Sequence, residues 1–436
     1  MRVVVVGGGL AGLFTASELM HRGVEVMVLD AASGPGGITR TIARDGFSLE
    51  PAAASFTLPH PHLGPILARA EVEVEVAASG TVRHVYVRDR LVALSQSPRT
   101  LLAPLMPAPA KLRFLLEPLV RSRSPEEESL ADFCRRRFGA QAGELVAWLM
   151  ASGVFAGDPE RLAVAAAFPM LNLLEREEGS VIRGAVRRRR GRPPGRVHLP
   201  TGGMTRLAET IAASLGERFR CDFPVGSIRG EGGRWLVEGP EQLTAEAVVL
   251  AVSPAQASSL LRGAIADHLA GAVSAPVTVV GLGAGGPSRL PSGFGALIGP
   301  GEGMVSRGVL FETSYAPARA PEGSWLVKVI AGGAPRGEVN EWDDERLIHT
   351  VSKEVERVIG EEISPEFVEV ARHRQGIPQY ESGHRNWLAG LDELLPEQPG
   401  LYLTGWGYRG VGVGHLAADA VRVAKSALAL FGHRWS

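Results

Sequence analysis

The hydrophobic and polar positions follow two periods along the chain, which predicts a mixed α/β protein. Residues 3–6 are four consecutive valines, the pattern of a strand buried on both faces. Ala16 and Leu19 follow at helical spacing, Gly23 ends that helix, and residues 24–29 form a second apolar strand. The order strand, helix, strand predicts a Rossmann-type unit with a parallel sheet at the start of the chain.

The pattern divides the 436 residues into segments that alternate between three units. Leu, Ala and Arg at helical spacing predict a helical insertion, whereas alternating residues at 277–282, 309–312 and 326–330 predict a mixed-sheet substrate domain. We expect these boundaries: nucleotide-binding domain 1–70, 197–268 and 381–436; substrate domain 71–94 and 269–380; helical insertion 95–196. In the later nucleotide-binding segments, helices are predicted over 205–215 and 415–431, and short strands over 221–225, 235–237 and 248–254.

Composition narrows the functional classes. A hydrophobic fraction of 45% and a charged fraction of 21% are those of an ordinary globular protein, and a net charge of -1 provides no field that attracts nucleic acid. Only Cys134 and Cys221 are present, so we expect no disulfide scaffold, no metal site and a reducing cytoplasm. The strand pattern that follows Met1 directly predicts no export signal, and prolines interrupt the uncharged stretch 269–288, which predicts no membrane-spanning helix.

The turn after the first strand carries a GxGxxG motif that consists of Gly7, Gly8, Gly9, Leu10, Ala11 and Gly12. Its first glycine allows a tight turn, its second lets backbone N–H groups approach a pyrophosphate, and its third lets the helix lie close to the strand. Asp30 ends the second strand, where its carboxylate can accept both ribose hydroxyls. This context predicts a dinucleotide site, and by itself it allows NAD as well as FAD.

A second glycine turn favours FAD. Pro35, Gly36 and Gly37 follow Asp30 closely, and residues 39–41 read Thr-Arg-Thr. This pattern resembles flavoproteins of the amine-oxidase superfamily, in which such a turn passes beneath the flavin side of the cofactor. Gly34 stands where those proteins usually carry an arginine, so one phosphate contact of the superfamily has no counterpart here.

Two further segments each allow two interpretations. The arginine-rich run 187–196 is most simply a solvated, mobile loop, and contact with anionic lipid is the alternative. Residues 101–120 combine leucines with Lys111 and Arg113, which fits either an interfacial amphipathic surface or ordinary core packing.

Four segments resemble the oxygen-dependent protoporphyrinogen oxidase family, and the resemblance spans the whole chain. They are Ser-Gly-Val-Phe-Ala-Gly-Asp at 152–158, Phe-Pro-Met-Leu at 168–171, Gly-Ile-Pro-Gln-Tyr at 376–380 with Gly383 and His384, and Tyr-Arg-Gly-Val at 408–411. Relatives that act on coproporphyrinogen III share much of this pattern. The resemblance therefore points to the family more firmly than to one porphyrinogen.

The resemblance implies one FAD and assigns contacts to it position by position. Val225 matches the residue that packs on adenine, and Trp406 matches a contact near the isoalloxazine. The full set of implied FAD contacts is Gly7, Gly8, Gly9, Leu10, Ala11, Gly12, Asp30, Ala31, Gly36, Gly37, Ile38, Ala52, Ala53, Ala54, Ser55, Val225, Trp406, Val411, Gly412 and Val413. Two departures affect this set: the family's Gly-Pro turn is replaced by residues 50–55, and His415 and Leu416 stand where the family has an acid and a cysteine before the final helix.

For the substrate, the resemblance implies that Arg83 holds a propionate of the tetrapyrrole, for which a guanidinium is well suited. The alternative for Arg83 is an exposed arginine on a strand. Phe294, Leu297 and Ile330 match apolar walls beside the pyrrole rings, and Gly157 lies where the ring approaches closely. By composition alone, each of these four would be assigned to the core.

The implied activity is oxidation of protoporphyrinogen IX to protoporphyrin IX, with hydride transfer to the flavin and reduction of oxygen to hydrogen peroxide, an oxidation of CH–CH groups. Porphyrinogen and oxygen are the expected partners; peripheral membrane contact and a homodimer stay open, as does coproporphyrinogen III as substrate. We name no general base, and His384 is expected to be structural.

Three different activities compete with this interpretation. An amine oxidase would be expected to carry a lysine on the first substrate strand, which 277–282 lacks, and Lys328 is expected to be exposed. A carotenoid desaturase would not be expected to carry the 152–158 and 376–380 segments. A non-catalytic FAD-binding module would keep the fold without turnover, and the changed residues at 52–54 and 416 are its only support.

Overall fold

A computed structural model describes residues 2–79, 82–94, 103–123, 125, 127–189, 195–287 and 290–432. Its strands, in chain order, are β1 Arg2–Val6, β2 Glu25–Leu29, β3 Ile42–Arg44, β4 Phe47–Leu49, β5 Phe56–Leu58, β6 Val74–Val76, β7 Arg83–Val87, β8 Arg90–Leu94, β9 Arg196–Pro200, β10 Phe219–Arg220, β11 Ser227–Glu231, β12 Arg234–Glu238, β13 Gln242–Ala245, β14 Ala247–Leu250, β15 Ser274–Gly285, β16 Gly295–Ile298, β17 Ser306–Leu310, β18 Ser324–Gly332, β19 Phe367–Pro378 and β20 Leu401–Leu403.

The helices range from a single turn to more than five turns. In chain order they are α1 Leu10–His21, α2 Leu63–Arg69, α3 Ala108–Leu115, α4 Leu130–Phe138, α5 Ala140–Phe155, α6 Val164–Ala167, α7 Pro169–Glu178, α8 Val181–Arg189, α9 Gly203–Leu215, α10 Pro254–Leu260, α11 Ala264–Ala270, α12 Glu312–Tyr315, α13 Asp344–Ile359, α14 His384–Leu394, α15 Trp406–Arg409 and α16 Val413–Gly432. Within the described ranges, no helix has both the length and the apolar character needed to cross a bilayer.

A five-stranded parallel sheet confirms the predicted Rossmann-type unit. Its strand order is β10-β2-β1-β14-β20, so strands from the start, middle and end of the chain build one sheet. The valines of β1 explain its central place: Val3 and Val5 pack with α1, α9 and α16, whereas Val4 and Val6 pack in the core on the opposite face. A strand that is buried on both faces is uniformly apolar for this reason.

A seven-stranded mixed sheet forms the second unit, with the order β19-β15-β18-β17-β16-β7-β8. Only β16 and β7 are paired in parallel, and all other neighbouring strands of this sheet are antiparallel. Helix α13 covers one face through Leu347, Val351 and Val355, which pack on Val309, Val327 and Val329. The opposite face is turned toward the nucleotide-binding unit and the helices of the insertion.

The insertion is helical from α3 to α8, as its composition predicts. Helices α4 and α5 pack closely against each other, and α5 also contacts β16 and β17. Phe133, Phe155 and Leu162 lie in the apolar core of this unit, which Tyr380 joins from the segment after β19. This packing places the Ser152–Asp158 motif beside the seven-stranded sheet.

Several predicted elements are wrong in detail. Residues 221–225 are not a strand, because the edge strand β10 ends at Arg220 and the chain then turns to bond residues near the end of β2. The strand predicted to 254 ends at Leu250, since Pro254 starts α10, and the strand predicted to 312 ends at Leu310. Arg187 to Arg189 belong to α8 rather than to a loop. Residues 190–194, and 95–102 at the start of the insertion, lie outside the described residues.

Candidate active site

The GxGxxG turn forms the tight bend that its glycines predict. Gly7 has φ +108°, and its N–H donates to the carbonyl oxygen of Leu29 at 2.8 Å. A Cβ on Gly7 would lie 2.7 Å from the Ala251 oxygen, and a Cβ on Gly12 would collide with the Gly7 carbonyl. Neither position can hold a side chain, so backbone N–H groups at the start of α1 stay accessible to a pyrophosphate.

The second glycine turn lies directly against the first. Gly36 pairs with Gly9, and the Gly36 N–H donates to the Gly8 carbonyl at 2.9 Å. Gly37 has φ +60°, and a Cβ there would lie 3.3 Å from the Gly9 Cα atom. The fold thus brings the two glycine motifs together into one backbone cradle, although Ile38 beside them is 46% exposed.

Asp30 lies at the carboxyl end of β2, where it braces the first turn. Its carboxylate accepts the N–H groups of Gly8 and, at 2.7 Å, of Ala32. The following segment returns to the same place, because the N–H of Phe223 donates to the Asp30 carbonyl at 2.8 Å. This return brings Val225, the implied adenine contact, to the same edge as Asp30 and the exposed Ala31.

Buried charged side chains hold the backbone of the segment 50–55, and the sequence analysis did not predict them. Lys328 donates to the Glu50 carbonyl at 3.0 Å and lies 3.3 Å from a carboxylate oxygen of Glu312. Arg319 donates to the Ala54 carbonyl at 3.0 Å and also pairs with Glu312. The expectation that Lys328 is exposed was wrong: it is 2% exposed, since its side chain points from β18 toward residue 50 instead of solvent.

Glu50 itself is almost completely buried. One carboxylate oxygen accepts from the Thr41 hydroxyl at 2.9 Å and from the Met204 N–H at 3.0 Å, and the other has no partner among the described residues. Burial raises the pKa of Glu50, although Arg319 lowers it. Ala52, Ala53 and Ser55 are half-buried beyond it, and Ala54 is buried.

The chain returns to the cradle between β20 and α16. The Tyr380 hydroxyl donates to the Trp406 carbonyl at 2.7 Å and accepts from the Gly410 N–H at 2.8 Å, which fixes the loop on both sides of α15. The buried indole N–H of Trp406 has no acceptor in the described part of the chain. Val413 starts α16, so Val411 and Gly412 precede its N-terminus, while His415 and Leu416 lie inside its first turn.

His384 has a structural environment, as expected. Its ring stacks on Tyr380 with 4.1 Å between the ring centroids, and one ring nitrogen lies 3.2 Å from the Tyr408 carbonyl oxygen. Burial lowers the pKa of His384. The residue therefore supports Tyr380 rather than facing an open site.

The implied substrate residues lie along the seven-stranded sheet and the end of α5. The Arg83 guanidinium is 5.7 Å from the ring centroid of Phe294, and Arg83 is exposed. Ile330 packs on Ala156, the neighbour of Gly157, while Leu297 faces Gly153 of α5, where a Cβ would lie 3.2 Å from Leu297 Cδ1. The structure thus brings these residues to one side of the sheet in two groups. One group contains Arg83 and Phe294, the other contains Ile330 and Gly157, and Leu297 lies between them.

Gly157 is constrained by packing. A Cβ there would lie 2.7 Å from Gln379 Oε1 and 2.8 Å from Leu162 Cδ1. The glycine is therefore required whether or not a ring approaches it, and its substrate contact stays a prediction. Gln379 and Tyr380 follow β19, so the two motifs that carried the resemblance meet here.

Comparison with known proteins gives the class. The model of the flavin containing amine oxidoreductase family matches residues 10–427, and the chain belongs to this family. FAD is its cofactor, and the two-glycine cradle, Asp30 and the unpartnered Trp406 N–H suit it. The chain is a flavin-dependent oxidoreductase.

Individual relatives of the chain have names that specify a substrate. The chain is 30% identical to the chloroplastic protoporphyrinogen oxidase of Oryza sativa subsp. japonica, with 97% of this chain and 87% of the rice protein covered. It is 25% identical to the coproporphyrinogen III oxidase of Bacillus subtilis, with 94% of each covered. A crystal structure of a candidate protoporphyrinogen oxidase from Exiguobacterium sp. superposes with a TM-score of 0.84 at 23% identity, covering 98% of both chains. Putrescine oxidase bound to putrescine has the same fold, with a TM-score of 0.73 at 15% identity, covering 98% of this chain and 99% of the other.

Proposed function

We propose that this chain oxidises protoporphyrinogen IX to protoporphyrin IX, with molecular oxygen as the acceptor and hydrogen peroxide as the by-product. The observation that carries the proposal is the junction of the 152–158 and 376–380 motifs beside Ile330, on the face of the sheet that also bears Arg83. The name and coverage of the rice relative support the same substrate.

The roles of the residues follow from their places. FAD, when bound, accepts electrons from the porphyrinogen and passes them to oxygen. The glycine cradle and Asp30 hold its dinucleotide end, and the buried charges behind 50–55 fix the backbone that borders it. Ile330 and Leu297 provide apolar walls, and Arg83 binds a propionate and so sets the orientation of the macrocycle.

Coproporphyrinogen III is the second candidate substrate, which the Bacillus subtilis relative supports. An amine is a weaker candidate. Lys328, the buried lysine of β18, is bonded to Glu50 and Glu312 and so is committed to holding the 50–55 segment.

The test is aerobic incubation of the FAD-loaded enzyme with protoporphyrinogen IX, coproporphyrinogen III and putrescine, following porphyrin fluorescence and peroxide. We expect fluorescence to rise fastest with protoporphyrinogen IX. Arg83→Ala should raise KM while the flavin content stays at the wild-type level, and Arg83→Lys should restore part of the loss. Peroxide from putrescine, with no fluorescence from either porphyrinogen, would contradict the proposal.

We also propose that the enzyme is cytoplasmic and contacts a membrane surface peripherally. Support comes from the apolar area of an exposed leucine cluster at and after α3. Its members are Leu112, Leu115, Leu116 and Leu119, which are 59%, 49%, 43% and 72% exposed. Flotation with anionic vesicles should recover wild-type protein, and a Leu112→Ser/Leu119→Ser variant should stay unbound; equal recovery of both would reject this membrane contact.

A further inference from the structure

Arg307 on β17 is a buried arginine that lacks a carboxylate partner. Three arginines are less than a tenth exposed in the described part of the chain: Arg137 at 0%, Arg307 at 4% and Arg319 at 7%. Arg137 pairs with Glu117, and Arg319 pairs with Glu312. Within the described ranges, no carboxylate oxygen lies within 4.0 Å of an Arg307 nitrogen.

The contacts that Arg307 does make compensate its charge only in part. Its guanidinium lies 4.1 Å from the ring centroid of Trp148, and one terminal nitrogen donates to the Ser152 hydroxyl at 2.7 Å and the Gly157 carbonyl at 3.3 Å. The Nε–H is buried and has no acceptor among the described residues. A buried charge that is neither paired nor fully hydrogen-bonded is unfavourable, and an anion that reached Arg307 would compensate it.

The charge of Arg307 persists at neutral pH. Burial lowers its pKa to about 10, Asp158 raises it from beyond salt-bridge distance, and the nearby Arg336 lowers it further. The residue is therefore a cation under physiological conditions, and beside it lies Arg336, which pairs with Glu338 at 2.8 Å.

A cavity of about 190 Å³ adjoins this cation and gives an anion room to reach it. Its wall includes Trp148, Arg307 and Arg336, together with the glycine-rich turn that joins β16 to β17. This turn contains Glu302, whose carboxylate accepts from the Arg88 N–H at 2.6 Å. Both residues that accept from Arg307, Ser152 and Gly157, belong to the motif that borders the proposed substrate slot. Through these two contacts Arg307 connects the cavity wall to Gly157, the residue that the resemblance assigns to the substrate.

Strand register gives the separation of Arg307 from Arg83. Val85 of β7 is paired with Leu297 of β16, which is paired with Gly308 of β17. Arg307 therefore lies two strands away from Arg83 across the sheet and three residues away along the strand direction. Two strand spacings and three residue rises place the two Cα atoms about 14 Å apart. Arg83 shares its face of β7 with Val85, and this face and Arg307 are both turned toward α5.

We propose that Arg307 binds a carboxylate of coproporphyrinogen III, the second candidate substrate, across the macrocycle from the propionate that Arg83 holds; this inference rests on the proposed function as a porphyrinogen oxidase. The separation suits propionates on two different pyrrole rings across the macrocycle. Protoporphyrinogen IX carries propionates on two adjacent rings only, whereas coproporphyrinogen III carries one on every ring. Arg307 should therefore strengthen the binding of the tetracarboxylate more than that of the dicarboxylate.

The test measures binding without turnover, by fluorescence titration of the FAD-loaded enzyme with coproporphyrin III, its tetramethyl ester and protoporphyrin IX. Arg307→Met should raise the Kd for coproporphyrin III roughly tenfold or more, the scale of a lost hydrogen-bonded charge contact, with little change for the ester. Arg307→Lys should recover most of the affinity. The matched control is Arg346→Met, because Arg346 also lies over a tryptophan, with 3.7 Å from its guanidinium to the Trp342 ring, but is exposed and outside the slot.

Flavin content and the unfolding midpoint of each variant establish that it is folded. The inference would be overturned if both Arg307→Lys and Arg307→Met keep full flavin and the wild-type affinity for coproporphyrin III. That result would leave the proposed function intact. Sulfate competition that depends on Arg307, without any dependence of porphyrin affinity, would overturn it too. If wild-type enzyme binds no porphyrin and oxidises no porphyrinogen, the proposed function fails, and this inference fails with it.

Discussion

Replacing Lys328 by methionine tests the buried charges that hold the 50–55 segment. Lys328 is 2% exposed, donates to the Glu50 carbonyl at 3.0 Å and lies 3.3 Å from Glu312. Methionine fills a similar volume but leaves that carbonyl without a donor, which costs about 1–3 kcal/mol. It also removes one of the two cations beside Glu312, while Arg319 keeps the carboxylate paired. The expected loss is therefore about 3 kcal/mol, near the lower end for breaking a buried ion pair.

Urea unfolding of the FAD-loaded protein measures this loss, and flavin released per mole of protein gives a second readout. Lys353→Met is the matched control, because Lys353 pairs with Glu356 at 2.8 Å but is 58% exposed. The control should behave as wild type, since exposed pairs contribute little. Equal unfolding midpoints for the two variants would refute the argument about stability. A Lys328→Met protein that is destabilised but keeps all its flavin would refute the part of the argument that concerns the cofactor.

Three further predictions concern the cofactor site and its surroundings. Gly12→Val should abolish flavin binding, because a Cβ there collides with the Gly7 carbonyl; a yellow protein would contradict this, and Gly64→Val, where a Cβ meets nothing, is the control. Tyr380→Phe removes the hydrogen bonds to Trp406 and Gly410, so it should lower the free energy of unfolding by about 1–3 kcal/mol and shift the flavin absorption spectrum. An unchanged spectrum and an unchanged stability would show that the loop is held by other contacts. Burial would raise the pKa of Glu312, but Arg319 and Lys328 outweigh it and hold the pKa below 4.5. Because this folded-state pKa is below the unfolded value, the stability from Glu312 is complete above pH 4.5 and is lost as the pH falls through the folded value. Unfolding free energies measured down to this range should converge for wild type and Glu312→Gln, and parallel curves would contradict the assignment.

The nucleotide-binding unit could be predicted because its signals are local. Four valines, a glycine turn, a helix and an acid at the end of the next strand are contiguous in sequence, and each requirement is steric. The helical insertion and the mixed sheet followed from periodicity, although ends such as Leu250 and Leu310 were misplaced because proline and a single helical turn stop the strands.

The buried charges could not be predicted in the same way. Lys328 and Arg307 lie on strands with alternating patterns, and whether an alternating position faces solvent or another unit depends on packing between distant segments. Lys328 points toward Glu50, which is 278 positions away, and Arg307 reaches Ser152, which is 155 positions away. No periodicity encodes such partners, which is why the sequence pattern predicts a surface lysine at 328 and does not single out Arg307.

Anaerobic mixing of the FAD-loaded enzyme with a porphyrinogen tests the central claim most directly, because flavin absorbance reports on the reaction before oxygen enters. We predict that protoporphyrinogen IX or coproporphyrinogen III bleaches the flavin band, with each flavin taking two of the six electrons that porphyrin formation releases, and that oxygen restores the band and lets porphyrin fluorescence appear. A flavin band that persists with both porphyrinogens but bleaches with putrescine would contradict the account.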